Sequence, residues 1–279
     1  MASDDEKGVY IQENCASDLA FLFAESELDL KWQYEVVKAG YKTIARYVGL
    51  EDSKEKLREV FKSDFGLDAA ADPASRLQVT ISVNVWEHAR AQAKREAEVR
   101  AEASALGLPK PVQAPERTAM HQLVEKKFGK LSEDEVPGPT YLTSKAAELE
   151  QNDPQASPMD EVVSIEDGDD WTFGVSSDAA GAFRTVRKTM KVSFPASPEE
   201  YRKRLRVEAN VWLFLATKHT NRPWLSDLIP ADFEKLAKHI LGKKVAEFEI
   251  ILRNGQKGPK VPWEVVLKYE LEVRKMRFT

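Results

Sequence analysis

The 279-residue chain is poor in the residue types from which recognisable active sites are built: it holds one cysteine and four histidines. Cys15 alone permits no internal disulfide and suits a reducing compartment. It sits in a polar stretch with no nearby His to activate it, so it reads as an incidental residue rather than a nucleophile. His88, His121, His219 and His239 stand apart, none at the i, i+4 spacing of an HExxH helix, so neither a metal nor a cofactor is expected. The dinucleotide fingerprint GxGxxG does not occur. FGK at Phe128 and LGKK at Leu241 lack the upstream glycine and downstream hydroxyl of a phosphate-binding loop, and these glycines read as helix stops. The GxSxG elbow is also missing, and Ser176 and Ser177 stand beside Asp178 in a loop-like stretch.

Long apolar runs are missing too. None approaches the roughly 20 residues that cross a bilayer, and the opening MASDDEKGVYIQ places acidic residues where a secretory signal carries a basic flank. The expectation is an intracellular protein, cytoplasmic or nuclear, with no membrane partner and no catalytic residues. An enzyme with a site dispersed in sequence is the less favoured alternative.

Charge is abundant and unevenly placed. Between Ser132 and Asp170 there are 12 acidic residues and one basic, whereas residues 184 to 279 sum to +10 and residues 1 to 131 to −3. The acidic stretch also carries Pro137, Pro139, Pro154, Pro158 and Gly168, which reads as a flexible tether holding at most a brief helix near Ser144 to Glu150. Short extended segments are allowed around Met159 to Ile165 and Trp171 to Val175.

The remainder has helical periodicity. Residues 1–16 read as a disordered tail. From 17 to 106 the pattern is an N-terminal helical bundle: Ser17 offers an N-cap with Leu19, Leu22 and Phe23 on one face, and Trp32, Val36 and Val37 form a stripe ending at Gly40. Ser53 caps a helix burying Leu57, Val60, Phe61 and Phe65. A long closing helix buries Leu77, Ile81, Val85 and Trp86 in its first half and projects its Ala-, Arg- and Glu-rich second half into solvent. Residues 107–131 form a connector with a short helix around Ala119 to Phe128, and 132–170 form the acidic tether. In the basic C-terminal helical module, 171–279, Ser197, Pro198, Glu199 and Glu200 start a helix whose buried face is Tyr201, Leu205, Ala209, Trp212 and Leu215. Pro230 opens another helix, and the last begins after Pro262 with Trp263 facing inward. The predicted fold class is mostly α: two small helical bundles joined by an acidic flexible tether.

One local feature has an identifiable ligand chemistry. Arg184, Arg187, Lys188 and Lys191 precede the Ser197 helix, and Arg202, Lys203, Arg204 and Arg206 lie on its first turns. These eight cations suit phosphates, and the adjacent Phe183, Phe194 and Tyr201 suit base stacking on a single-stranded nucleic acid. The competing reading is a solvated face neutralised by the acidic stretch of the same chain, with protein partners instead. Arg90 to Arg100 alternates sign and reads as a solvated helix with i, i+4 pairs.

Asp18 to Arg90, with short helices around GYKTIARYVGL and a longer closing helix, resembles bundles of the sterile-alpha-motif or helix-hairpin-helix type. The glycine-rich hairpin with which helix-hairpin-helix proteins grip a phosphate has no counterpart here. The phrases LIPADFEKLAKHILG and PWEVVLKYELEVRK are similar to uncharacterised multicopy protist proteins of the dinoflagellate type, some associated with mobile elements. That similarity implies no established activity and adds weight to a non-enzymatic binding role. Two such roles are expected: a nucleic-acid-associated adaptor whose N-terminal bundle holds a protein partner, or a self-associating assembly protein, a homo-oligomer.

Overall fold

The computed structural model describes residues 2–105, 109–168, 172–177, 183–188, 191–249, 251, 253 and 256–278, and of 172–177, 183–188, 277 and 278 the backbone alone. The fold is mostly α. Its elements are α1 (Asp4–Asn14), α2 (Ser17–Glu25), α3 (Leu30–Lys38), α4 (Ile44–Val48), α5 (Lys54–Ser63), α6 (Pro73–Ala105), α7 (Ala114–Phe128) and α8 (Pro139–Glu150). There follow β1 (Thr172–Ser177), β2 (Phe183–Lys188), α9 (Pro198–Lys218), α10 (Pro223–Ser226), α11 (Pro230–Ile240) and α12 (Trp263–Phe278). The chain divides into two compact units, one of residues 1–129 and 214–226, the other of 130–213 and 227–279.

In the first unit the N-terminal residues are not a disordered tail. Ser3 Oγ accepts from the Glu6 amide and the Glu6 carboxylate accepts from the Ser3 amide, a capping box that satisfies two otherwise orphaned donors. The resulting α1 buries Ile11 and is followed by buried Cys15, while Tyr10 meets Tyr34 of α3 edge to face at 5.2 Å. Helix α2 starts at Ser17 with Ala16 as its cap, so Ser17 is buried inside the helix rather than capping it. The core gathers Leu19, Phe23, Val36, Val37, Tyr47, Leu57, Phe61 and Trp86. Two polar ring atoms fix α4 against α6: the Tyr47 hydroxyl donates to Ser82 O at 3.1 Å and Trp86 Nε1 to Val48 O at 3.2 Å. Gly40, just past α3, has φ 101°, the conformation that a residue with a side chain resists.

Helix α6 buries Val85 and Trp86 as expected, with Ile81 partly buried against the core, but Leu77 is exposed and Val79, Ser82, Val83 and Ala89 are buried as well. Its second half is not fully solvated either: Ala103 is buried, and Glu96 pairs with Lys110 at 3.0 Å. The end of this helix at Leu106 lies outside the described residues. Helix α7 begins at Ala114, five residues before the expected start, with Pro115 in its first turn and Glu116, Ala119, Met120 and Val124 buried.

The second unit overturns the flexible tether. Within 132–168, Val136, Tyr141, Leu142, Leu149, Met159, Val162 and Val163 are all buried. Tyr141, Leu142, Lys145 and Leu149 follow helical spacing along α8, and Pro139 sits at its first position as a helix starter. Two segments of this stretch bridge antiparallel at Pro137 and Ser164, with the Gly138 amide donating to Val163 O and the Ile165 amide to Val136 O, both at 2.9 Å. A side chain at Gly138 would come within 3.2 Å of Val163 O, so the close approach favours glycine. Charge density made this segment resemble a tether, but its apolar residues have the spacing and number to form a core, and burying them offsets the ordering cost.

Extended structure near Trp171 to Val175 is present as β1, paired antiparallel with β2 from Thr172 opposite Lys188 to Ser177 opposite Phe183. Residues 169–171 and 178–182 lie outside the described residues. Helix α9 starts as expected, with Ser197 Oγ accepting from the Glu200 amide at 3.2 Å. Tyr201, Leu205, Ala209, Trp212 and Leu215 are buried along it. Trp263 is half-buried and donates from Nε1 to Pro195 O at 2.6 Å.

Leu142, fully buried in α8, tests the packed state of the acidic stretch. Leu142→Ala should lower unfolding stability in denaturant titration by about 2–5 kcal/mol, the usual cost of such a cavity. A change below about 1 kcal/mol would return this stretch to a tether.

Candidate functional site

The basic cluster is placed by the N-terminal turns of α9 and the chain before it, and four of its described cations face the acidic stretch. Arg204 is the most constrained: its Nη1 and Nη2 donate to the two Asp167 carboxylate oxygens at 2.5 and 3.1 Å, and Nη1 also donates to Val162 O at 2.9 Å. Lys203 pairs with Asp134 at 3.0 Å, and Arg206 with Glu135 at 2.9 Å. Asn210, one turn on, donates to Glu135 O at 2.8 Å. Lys191 bridges Asp160 and Glu161 at 3.1 and 3.0 Å, and Arg202 pairs within its own helix with Glu199 at 3.3 Å. Arg184, Arg187 and Lys188 lie on β2, with their side chains outside the described residues. Every described side chain of the cluster is therefore in an ion pair, four of the five with the acidic stretch.

The protonation behaviour agrees with that pairing. Hydrogen bonds from Ser132 and Lys203 hold the Asp134 carboxyl below its ordinary range. Partial burial opposes the same shift at Asp167, but the Ser164 amide and the Arg204 guanidinium overcome it. Glu161 and Asp160 raise Lys191, and Asp134 raises Lys203. The neutralised-face reading fits the geometry of these residues, and phosphate would have to displace carboxylates to reach them.

A second charged group, unforeseen from the sequence, lies inside the same unit. Arg274 of α12 donates from Nε to Glu270 Oε1 at 2.6 Å and from Nη2 to Glu270 Oε2 at 3.0 Å. Its Nη1 reaches Glu208 of α9 at 3.4 Å, and Nη2 also donates to Ser157 O at 2.7 Å. Glu208 further accepts from Trp212 Nε1 at 3.2 Å and meets the Tyr141 hydroxyl, while Tyr201 donates to Glu270 at 3.3 Å. All six residues are buried. Burial pushes the Glu208 carboxyl above its ordinary range, against the pull of Arg274. Lys145, also buried, is held by Glu148 at 2.9 Å and donates to Gln155 O at 2.6 Å. The spacing of Glu270 and Arg274 reads as a surface pair. The signal that it faces inward is buried Val266 and Leu267 one turn earlier.

The first unit has its own buried ionic group. Lys218 pairs with Glu116 of α7, and both are largely covered. Burial raises the neighbouring Asp18 carboxyl against the pull of Lys218. Ser17 Oγ and Glu116 Oε2 are buried without a hydrogen-bond partner. His219 follows Lys218, and burial together with Lys218, Arg222 and Lys110 lowers its pKa to about 4. The other histidines are scattered: His121 stacks on Phe214 at 5.6 Å and His239 Nε2 lies 3.3 Å from the Tyr269 hydroxyl. No group of His, Cys, Asp and Glu among the described residues is arranged to hold a metal ion. No helix among them is long and apolar enough to cross a membrane.

Exposed apolar side chains gather elsewhere in the second unit. Val265, Tyr269 and Met276 lie on one face of α12, and Phe248 and Ile251 in the chain between α11 and α12, all more than two-fifths exposed with Ile251 at 73%. The sequence shows KVAEFEIIL as an apolar pattern but not which of its residues remain uncovered.

Two pH effects follow. Glu208 has a raised folded pKa, so its contribution to stability is full below the ordinary carboxylate value of 4.5 and declines as pH rises toward the folded value. Glu208→Gln should flatten the fall in Tm that begins as pH rises above the ordinary value. An equal loss at every pH would contradict a raised folded value for Glu208. His219 runs the other way. Its folded value of about 4 lies below the ordinary 6.5, so the stability it supplies is full above 6.5 and is lost as pH falls between those values. His219→Gln should reduce the acid-side drop in Tm over that window, and an unchanged drop would place His219 in solvent.

No protein-family model, curated protein sequence or solved structure matches the chain, so its functional reading rests on the residues themselves.

Proposed function

We infer that the protein is a non-enzymatic binding protein whose ligand face lies on the second unit, across α11, α12 and the chain between them. One observation carries this reading: the strongest ionic chemistry of each unit is buried and mutually neutralised, while five large apolar side chains of α12 and the chain before it, Phe248, Ile251, Val265, Tyr269 and Met276, are exposed. Arg274, Glu208 and Glu270 act as structural ties. The basic residues Lys191, Lys203, Arg204 and Arg206 brace the acidic stretch instead of meeting an external ligand. Large exposed apolar side chains on a folded surface mark interaction sites when they are contiguous.

Self-assembly is the second reading, favoured by the Val265, Tyr269 and Met276 stripe. Such a stripe can pair with itself about a twofold axis.

A photo-crosslinking amino acid placed at Val265 tests the reading in the full chain, with Leu77 as an equally exposed site on the first unit. In lysate from the native cell, position 265 should give discrete adducts that position 77 does not. Adducts of twice the chain mass would select self-assembly. Identical patterns from the two positions would contradict a ligand face on the second unit.

A further inference from the structure

Exposed cations without a described ion pair also occur at the end of α11, just after it and on α12, outside the Arg184 to Arg206 cluster. Lys238 ends α11, Lys243 and Lys244 follow it, and Lys268 lies on α12. All four are exposed and make no ion pair with any described residue. The contact between His239 and Tyr269, with ring centroids 6.2 Å apart, sets the end of α11 beside the middle of α12. That brings Lys238 and Lys268, each adjacent in sequence to one of those rings, to the same neighbourhood. After α11 the chain turns back on itself, the Ala246 amide donating to Ile240 O and the Phe248 amide to Val245 O, which keeps Lys243, Lys244 and Phe248 close to that helix end. Phe248 is 52% exposed and Tyr269 43%.

We propose that this face, formed by Lys238, Lys243, Lys244, Phe248, Lys268 and Tyr269, binds single-stranded nucleic acid. The proposal rests on the ligand face assigned above and supplies its occupant. Lysine ammonium groups neutralise phosphates without reading sequence, and exposed rings next to them offer stacking platforms for unpaired bases. A duplex keeps its base faces inside and gains only the charge. A flat anionic bilayer would also meet exposed Glu264 and Glu272 on the same helix, whereas a flexible strand can be routed past them. The partly open Tyr269 ring keeps its contact with His239, so the platform is held in place before a ligand arrives.

Fluorescence anisotropy of the full chain with a labelled 20-mer oligouridine tests this. Binding should weaken with salt at a slope of about 0.7 per phosphate neutralised, and a duplex of equal length should bind more weakly. Replacing Lys238, Lys243, Lys244 and Lys268 together with Gln should lower affinity at least about tenfold and flatten the slope. Tyr269→Leu should lower affinity by roughly 5- to 100-fold at unchanged slope, the range expected from one lost stack. Lys203→Gln with Arg206→Gln, which removes cations already paired, should leave affinity within about twofold, and circular dichroism should show every variant folded. Binding that survives the four-lysine change and is lost with Lys203 and Arg206 would overturn this site while leaving a nucleic-acid ligand. No oligonucleotide binding at low salt, with position-265 adducts that resist nuclease, would overturn the occupant while leaving the ligand face. Capture of the chain by phosphatidylserine vesicles, lost in the four-lysine variant and with no oligonucleotide binding, would overturn it in favour of a membrane surface.

Discussion

Arg274 is the residue on which the second unit turns. Its guanidinium joins Glu208 of α9, Glu270 of its own helix and the backbone of the acidic stretch at Ser157, three segments far apart in sequence. A buried ion pair is not by itself a source of stability, because withdrawing charges from water costs about as much as their attraction returns. Its effect is to specify geometry. Once α9 and α12 meet in any other register, two carboxylates and a guanidinium are stranded in an apolar interior, and breaking such a pair costs about 3–5 kcal/mol. Tyr141, Tyr201 and Trp212 complete the network with neutral donors, so each carboxylate is held on more than one side.

The same constraint explains the acidic stretch. Ser157 accepts from Arg274, Tyr141 of α8 meets Glu208, and Val136, Met159, Val162 and Val163 add apolar burial. With those contacts made, the carboxylates at Asp134, Glu135, Asp160, Glu161 and Asp167 fall opposite the cations of α9 and the segment before it. The surface pairs among them are each worth little, about 0–1 kcal/mol. They matter as placement: they occupy every cation of the Arg202 to Arg206 run except Arg202, which pairs within its own helix. Arg204 differs from the others because its bidentate, partly covered pairing with Asp167 gives fixed geometry as well as attraction.

Much of the fold was legible where the signal is local. Ser53 and Ser197 as caps, Gly40 after α3, and the buried stripe from Tyr201 to Leu215 follow from spacing and backbone preference, and each appears as read. The misreadings share one cause, since charge and turn residues were weighed above apolar spacing. In 132–168, Tyr141, Leu142 and Leu149 lie at helical intervals, yet ten acidic residues across those positions suggest solvent. At the N-terminus the Ser3 to Glu6 capping box was visible in SDDE but passed for polar tail. Leu77 was placed on the wrong face because both sides of early α6 carry apolar residues, and only tertiary packing selects between them. The Arg274 network was not legible, because its links span 66 to 117 positions apart from two i, i+4 pairs that look ordinary. The exposed face of α12 was hidden for a related reason: exposure of Phe248 and Tyr269 depends on what the tertiary fold fails to cover.

Amide hydrogen exchange across the acidic stretch tests the central claim most directly. If Arg274 and the apolar residues hold 136–165 in the second unit, amides of Leu142 to Leu149, together with Gly138 and Ile165, should exchange orders of magnitude more slowly than in an unfolded chain. Their protection should approach that of α9. Exchange of these amides at the unfolded-chain rate, with α9 still protected, would contradict the account and restore a tether with its basic partner free to bind.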